Sequence, residues 1–185
     1  MLPVISCLLI WSVGYPVALQ LRSPTDGTVI DICDVLRNPV SFNGKVVAIR
    51  GFFSDTDEGN WLMGECPVPL STAGYVWKSH IFLIPPGSNF VLHATEYSED
   101  TAALKAFADK LKRRKDPIRD KVLVTVVGKI ETRENLEMEV YRDRDGRVRP
   151  AGFGHMNGAP AQLVLKTVRD VSIVPFAERP RRMSK

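Results

Sequence analysis

Two similar stretches of β-branched residues constrain the fold of this chain more than any other feature. The first is KVVAIRGFF, Lys45–Phe53, which follows the turn sequence Asn43-Gly44. The second is KVLVTVVG, Lys121–Gly128. Both begin with lysine, continue through β-branched residues and reach a glycine six or seven positions later. Such residues favour strands, and an interior glycine is typical of a bulge or bend that lets a small sheet close. We therefore expect both stretches to be strands of one closed sheet.

Three further strands are predicted along the chain. Trp61–Glu65 reads as the return strand of a hairpin that the first strand begins, and Ser79–Ile84 reads as a third strand, ended by two prolines. The fourth strand extends from Lys121 to Arg133, and a last strand is predicted over Ala161–Val174. The glycine-rich sequence between the fourth and last strands, 151–160, predicts a loop.

Two helices are predicted from their end signals and apolar spacing. A short helix begins at Asp31, a residue type that caps helices, and ends before Pro39. The long helix lies between the third and fourth strands. It follows the acidic pair Glu99-Asp100, and its apolar residues recur at three- and four-residue spacing. These are Leu104, Phe107, Ala108 and Leu111.

Three strands, a helix and two strands is the element order of the oligonucleotide/oligosaccharide-binding (OB) fold. The chain resembles that fold across about residues 45 to 175. The sequences ICDVLRNPVSFNGKVVAIRG and GFGHMNGAPAQLVLKTV are similar to uncharacterised exported bacterial proteins of this barrel type. The resemblance implies a mainly β, OB-like five-stranded barrel over residues 29–176, closed by pairing of its first and fourth strands. A β-sandwich with an inserted helix has the same element order and stays the alternative.

The N-terminal sequence predicts export. Residues 1–19 contain no charged side chain, and most of Val4–Trp11 is apolar. That length suits a secretory signal peptide or a short anchor over residues 1–20, followed by a linker over 21–28. A buried N-terminal segment and a lipoprotein acylated at Cys7 are the alternatives. At the other end, residues 177–185 predict a basic, disordered tail that carries most of the net charge of +4.

Cysteine usage agrees with an oxidising compartment. Removal of the leader would leave two of the three cysteines, Cys33 and Cys66. One disulfide is the most economical arrangement of two cysteines in an exported protein, and a pair of buried free thiols is the alternative. The sequence has no Cys-x-x-Cys and no Cys/His cluster, so neither a metal site nor a cofactor is predicted.

The OB resemblance implies a ligand surface on the second and third strands and on the loops beside them. Stacking on tryptophan and ion pairing with arginine would be its chemistry. Burial of the tryptophans in the interior, and a solvated hairpin for the arginines, are the competing interpretations. The candidate ligand-binding residues are Trp61, Trp77, Arg142, Arg144 and His155, and the same surface would draw on Met63, His80, Phe82 and Arg147.

The sequence favours a binding protein over an enzyme. It contains none of the Gly-x-Ser-x-Gly, His-Glu-x-x-His or phosphate-loop motifs. We therefore expect an exported, non-enzymatic binding or interaction module whose ligand or protein partner the sequence does not identify. Contact with a membrane is expected only through the N-terminal segment. A nucleic-acid-binding barrel, with basic residues at 110–121 and 142–149, is the first alternative. A hydrolase or metal enzyme centred on His155 is the second.

Overall fold

The chain is mainly β in the computed structural model, which describes residues 28–117, 119–133 and 140–175. Within these ranges it forms ten strands and two α-helices. The strands are β1 (Val29–Asp31), β2 (Val46–Thr56), β3 (Gly59–Met63), β4 (Ser71–Thr72), β5 (Tyr75–Val76), β6 (His80–Ile84), β7 (Lys121–Glu131), β8 (Val140–Arg142), β9 (Val148–Pro150) and β10 (Gln162–Val174). The helices are α1 (Ile32–Arg37) and α2 (Thr101–Lys112), and 3₁₀ turns lie at Pro39–Phe42 and His155–Asn157.

Five of the strands close into a ring in the order β2-β3-β6-β10-β7 and back to β2. The closing pair joins the two stretches that the sequence singled out, with antiparallel register from Val46↔Lys129 to Phe53↔Val122. The other neighbours are antiparallel except β6 and β10, which run parallel. The mainly β class, two helices and the pairing of the first and fourth predicted strands are therefore found.

Alternating side chains of the ring strands fill its interior. Val47 and Ile49 of β2 point inward with Val122, Val124 and Val126 of β7, and all five are buried. The alternation follows from the pleat, which sends successive side chains to opposite faces. α2 covers this interior with Phe107, whose ring meets Phe53 edge-on at 4.9 Å between ring centres. Ala108, predicted for the same apolar stripe, is exposed.

Some elements differ from the sequence prediction because they depend on non-local pairing. β1 directly follows the predicted linker, where no strand was predicted, and it is a strand because it pairs in parallel with β2. β4 and β5 form a small hairpin between the predicted strands Trp61–Glu65 and Ser79–Ile84, where no strand was predicted. β3 begins two residues before the predicted Trp61. The predicted leader, the first seven linker residues and the tail lie outside the described residues.

A disulfide joins α1 to the end of β3. Cys33 and Cys66 are bonded, which is the pairing that the sequence predicted. α1 begins as predicted at Asp31, whose side chain accepts a hydrogen bond from the Cys33 backbone N–H at 2.8 Å. Gly64 leaves room for the bond, because a Cβ there would lie 3.1 Å from each sulfur. The bridge thus fixes α1 against the β2–β3 hairpin.

Removal of the disulfide should destabilise the protein. The two cysteines are 33 positions apart, and closing a loop of that length stabilises the folded state by about 3–4 kcal/mol through the unfolded chain. A Cys33→Ala/Cys66→Ala variant should lose about that amount of unfolding free energy in urea titrations. Reductant should lower the stability of the parent protein and leave that of the variant unchanged. Equal stability of the two oxidised proteins would contradict this.

The Tyr97 hydroxyl completes the β7–β10 ladder at an irregular point. It accepts a hydrogen bond from the Lys129 N–H at 2.9 Å and donates one to the Val164 carbonyl at 2.6 Å. The register shifts just beyond, between Leu165 and Thr167. Burial is the main cause that raises the pKa of Tyr97. A side chain 32 residues upstream thus satisfies two backbone groups that the strands leave unpaired.

Tyr97→Phe should cost about 1–3 kcal/mol of unfolding free energy, because it leaves the buried Lys129 N–H and the buried Val164 carbonyl without a hydrogen-bond partner. Tyr75→Phe is the matched control, since the Tyr75 hydroxyl makes no hydrogen bond with the described residues. Urea titration of both variants measures the difference. Equal losses for the two substitutions would show that the hydroxyl bridge does not stabilise the ladder.

The segment after β6 is held by a buried polar network. Glu131, fully buried, accepts hydrogen bonds from the Leu92 and His93 backbone N–H groups at 2.9 and 3.1 Å. Lys129 pairs with the same carboxylate at 3.1 Å and donates to the His93 carbonyl at 2.6 Å. Burial alone would raise the pKa of Glu131, but these hydrogen bonds and one from Gln162 hold its pKa below the usual range. The network thus fixes the segment on the outside of the ring.

Candidate ligand-binding site

The outer face of β3 and β6 carries a continuous group of aromatic and other large side chains. Trp61 and Phe82 are register partners on this face, as are Met63 and His80. The ring of Trp61 lies 4.9 Å from that of Phe82 and 4.7 Å from that of His80. Because strand neighbours two residues apart share a face, these four side chains form one continuous surface.

The loop before β10 folds over this surface. Phe153 forms an isolated bridge with Ala159, and both pack against Trp61. Gly154 has a φ of +71°, and a Cβ there would come within 2.4 Å of the Trp61 ring. Glycine is therefore required at this position by conformation and by space. The 3₁₀ turn that follows, His155–Asn157, projects over the face.

The turn contacts the opposite hairpin through a histidine and a carboxylate. The Nε2 atom of His155 lies 3.3 Å from a carboxylate oxygen of Glu58, in the β2–β3 turn. Met156 and Asn157 have φ values of +52° and +55°, which is uncommon for residues with a side chain. Such backbone conformations persist only where the surroundings hold them.

Two cavities adjoin at this turn. The front cleft, about 700 Å³, lies over β3 and β6, and Met63, Tyr75, Lys78, His80 and Arg149 are among its lining residues. The phenyl cavity, about 560 Å³, is lined by Phe82, Phe90 and Phe153 together with Asp57, Arg133 and Gln162, among others. Both are lined by Glu58, His155 and Asn157, so the turn separates them. Each volume is in the range of small-molecule sites.

His80 is the titratable group most perturbed by its place in the front cleft. Burial, followed by the nearby charge of Lys78, lowers its pKa to about 4, against the opposing effect of a hydrogen bond with the Gly158 backbone. Its Nε2 atom is buried and has no hydrogen-bond partner among the residues that the structure describes. The imidazole is therefore neutral at pH 7, and the cations of the cleft are Lys78 and Arg149.

The predicted site residues are only partly brought together. Trp61, 7% exposed, forms the floor of the front cleft, and His155 lies at the boundary of the two cavities. Trp77 is 1% exposed, with its indole N–H donated to the Thr72 hydroxyl at 2.7 Å. Arg142 and Arg144 belong to the β8–β9 hairpin and its turn and line neither cavity.

Several lining residues were not singled out from the sequence. Arg149 reaches the front cleft while its side chain pairs with Asp143 at 2.8 Å. Strand alternation gave no signal for Arg149, because residues two positions apart, such as Arg147 and Arg149, share a face. Gln162 gave no signal, because a polar residue at the start of an alternating strand predicts exposure, yet it is 1% exposed.

The described residues give two further findings. No three histidine, cysteine, aspartate or glutamate side chains gather there as a set that would hold a metal ion. Neither described helix combines the length and the apolar character that a membrane crossing requires.

Comparison of the chain with protein-family models, curated proteins and solved structures found no match.

The protein should lose stability on mild acidification through His80. Its pKa is about 4 in the folded state and ordinarily 6.5, so the unfolded chain binds more protons between these values. Unfolding free energy should therefore fall as pH drops from 6.5 to 4, by about 1.5 kcal/mol after allowance for partial exposure.

Urea titrations at pH 7, 5.5 and 4.5 measure this effect, with His80→Gln as the comparison. The variant should show a flatter profile over the same interval. Glu131 does not mimic the effect. Its lowered pKa stabilises the folded protein above the ordinary value of 4.5, and this contribution is lost only as pH falls below that value. An unchanged slope in His80→Gln would contradict the assignment.

Proposed function

We propose that the protein is an exported, non-enzymatic binding module, and that its ring of strands is an OB-like barrel. The ring order supports the OB assignment. β2, the first ring strand along the chain, pairs with β3 and β7, the second and fourth, and β6, the third, runs parallel to β10, the fifth. α2 lies between the third and fourth ring strands, where the OB element order has its helix. A resemblance to exported bacterial barrel proteins is part of the same proposal.

The position of the two cavities is the observation that carries the binding role. OB barrels bind ligands on the second and third strands, between the loops that flank them. Here those strands are β3 and β6, and the flanking segments are the β2–β3 turn with Glu58 and the loop with His155. The front cleft and the phenyl cavity lie at this place, and both contain apolar side chains beside a few polar ones.

Export is supported by the disulfide between Cys33 and Cys66, because such bonds persist in oxidising compartments. For His155 we propose a structural role. Its pairing with Glu58 holds the turn at the boundary of the cavities, and this explains the residue without a chemical step.

Nucleic-acid binding is the second candidate. Arg142, Arg144 and Arg147 lie in one hairpin, and the end of α2 adds further cations. Basic groups of this kind bind phosphates. The burial of Trp61 and Trp77 weighs against it, because bases stack on exposed aromatic faces. A small-molecule ligand is therefore the preferred proposal.

Binding can be tested by titrating the ¹⁵N-labelled protein with a fragment library and following backbone amide shifts. We expect fragments to shift amides of residues 154–158 and of the β2–β3 turn. Met63→Ala should weaken fragments that bind in the front cleft, because Met63 lines it and is exposed. Val76→Ala is the control, since Val76 is also exposed and lines neither cavity.

Titration with oligodeoxythymidylate at low salt tests the nucleic-acid alternative. Tight, salt-dependent binding that shifts the β8–β9 hairpin would favour the nucleic-acid role. If no fragment shifts residues of either cavity, the small-molecule role is wrong.

A further inference from the structure

We propose that the phenyl cavity binds an organic ammonium ion, namely a primary amine attached to a small aromatic or aliphatic group. This rests on the binding role proposed above and adds the class of ligand. Three properties of the cavity carry it: its phenyl rings, a buried amide whose oxygen has no donor among the described residues, and a carboxylate, that of Asp57, without a partner among them.

The phenyl rings provide an apolar surface of suitable size. Phe153 is buried and Phe82 is half-buried, whereas Phe90 is 70% exposed at the cavity and has solvent on much of its ring. Leu92 beside it is also exposed. An apolar group placed among these rings would remove this surface from water, which favours binding. A volume of about 560 Å³ leaves room for a group of one ring.

Gln162 supplies a buried acceptor whose orientation is fixed by its neighbours. Its amide nitrogen donates to the Phe90 carbonyl at 2.7 Å and to the Glu131 carboxylate at 2.8 Å. Two acceptors on one side require the NH₂ group there, so the amide cannot be reversed. No donor among the described residues reaches its carbonyl oxygen. Since Gln162 is 1% exposed and lines the cavity, a ligand with an N–H group would complete it.

Charge selects a cation over a neutral donor. Asp57 and Glu58 line the cavity, and Asp57 makes no hydrogen bond or ion pair with the described residues. The one guanidinium among the lining residues is Arg133, which lies 5.3 Å from the centre of the Phe153 ring and donates to the Gly152 carbonyl. Glu58 is in contact with His155, so the Asp57 carboxylate is the lining charge that has no partner among the described residues. An ammonium ion is favoured both by these carboxylates and by the faces of the phenyl rings.

Three probes of similar shape test the proposal on the full chain: 2-phenylethylammonium, 2-phenylethanol and 3-phenylpropanoate. Affinities are measured from amide shifts around Phe90, Phe153 and Gln162. We expect the amine to bind about tenfold more tightly than the alcohol, because it gains charge-assisted contacts. The carboxylate should bind more weakly than either.

Matched variants separate charge from shape. An Asp57→Asn/Glu58→Gln variant should lose the preference for the amine and keep its affinity for the alcohol. Asp55→Asn is the control, because Asp55 belongs to the same hairpin and does not line the cavity. Phe90 is an exposed side chain. Phe90→Ala should weaken the binding of the amine and of the alcohol by about fivefold, because each probe loses apolar contact with the ring.

The proposal is overturned if the alcohol or the carboxylate binds as tightly as the amine. It is also overturned if the Asp57/Glu58 variant keeps the preference for the amine. Either result would leave the binding role intact, provided that fragments still shift residues of the two cavities. If no fragment shifts them, the binding role itself fails and this inference fails with it.

Discussion

The buried carboxylate of Glu131 is the group on which the arrangement outside the ring depends. A buried charge is costly unless it is paired and hydrogen-bonded, and Glu131 meets this condition through Lys129, Gln162 and two backbone N–H groups. Both backbone donors come from the segment after β6. The carboxylate therefore requires this segment to lie against the ring, and the segment in turn excludes water from the carboxylate.

The same network positions the candidate site. Gln162 satisfies Glu131 with one amide hydrogen and the Phe90 carbonyl with the other. Gln162 also lines the phenyl cavity, and the backbone that carries Phe90 is held at the same place. A substitution at Glu131 would consequently alter a cavity that the residue itself does not line. The stability of the fold and the geometry of the phenyl cavity share these contacts.

Local patterns in the sequence were sufficient to predict the ring of strands. They were insufficient to predict the segment that packs on its outer face. The two similar stretches, Lys45–Phe53 and Lys121–Gly128, predicted a strand pair, because alternating β-branched residues specify one buried face. The structure confirms this pair as β2 and β7. Lys129, Glu131 and Gln162 fall on the other face, which the alternation predicts as solvated. They are buried by residues 36 to 72 positions away, and no local pattern records that contact. For the same reason the sequence left open whether Trp61 and Trp77 were interior or exposed.

The turn His155–Asn157 makes the two cavities chemically different. On the front side the charges of the cleft are those of Lys78 and Arg149, because the lowered pKa of His80 keeps its imidazole neutral. On the other side Asp57 contributes a carboxylate that makes no ion pair with the described residues. Glu58 lies between them, and its carboxylate is 3.3 Å from the Nε2 atom of His155. The contact between the turn and the β2–β3 hairpin therefore places the Glu58 carboxylate at the boundary of both cavities.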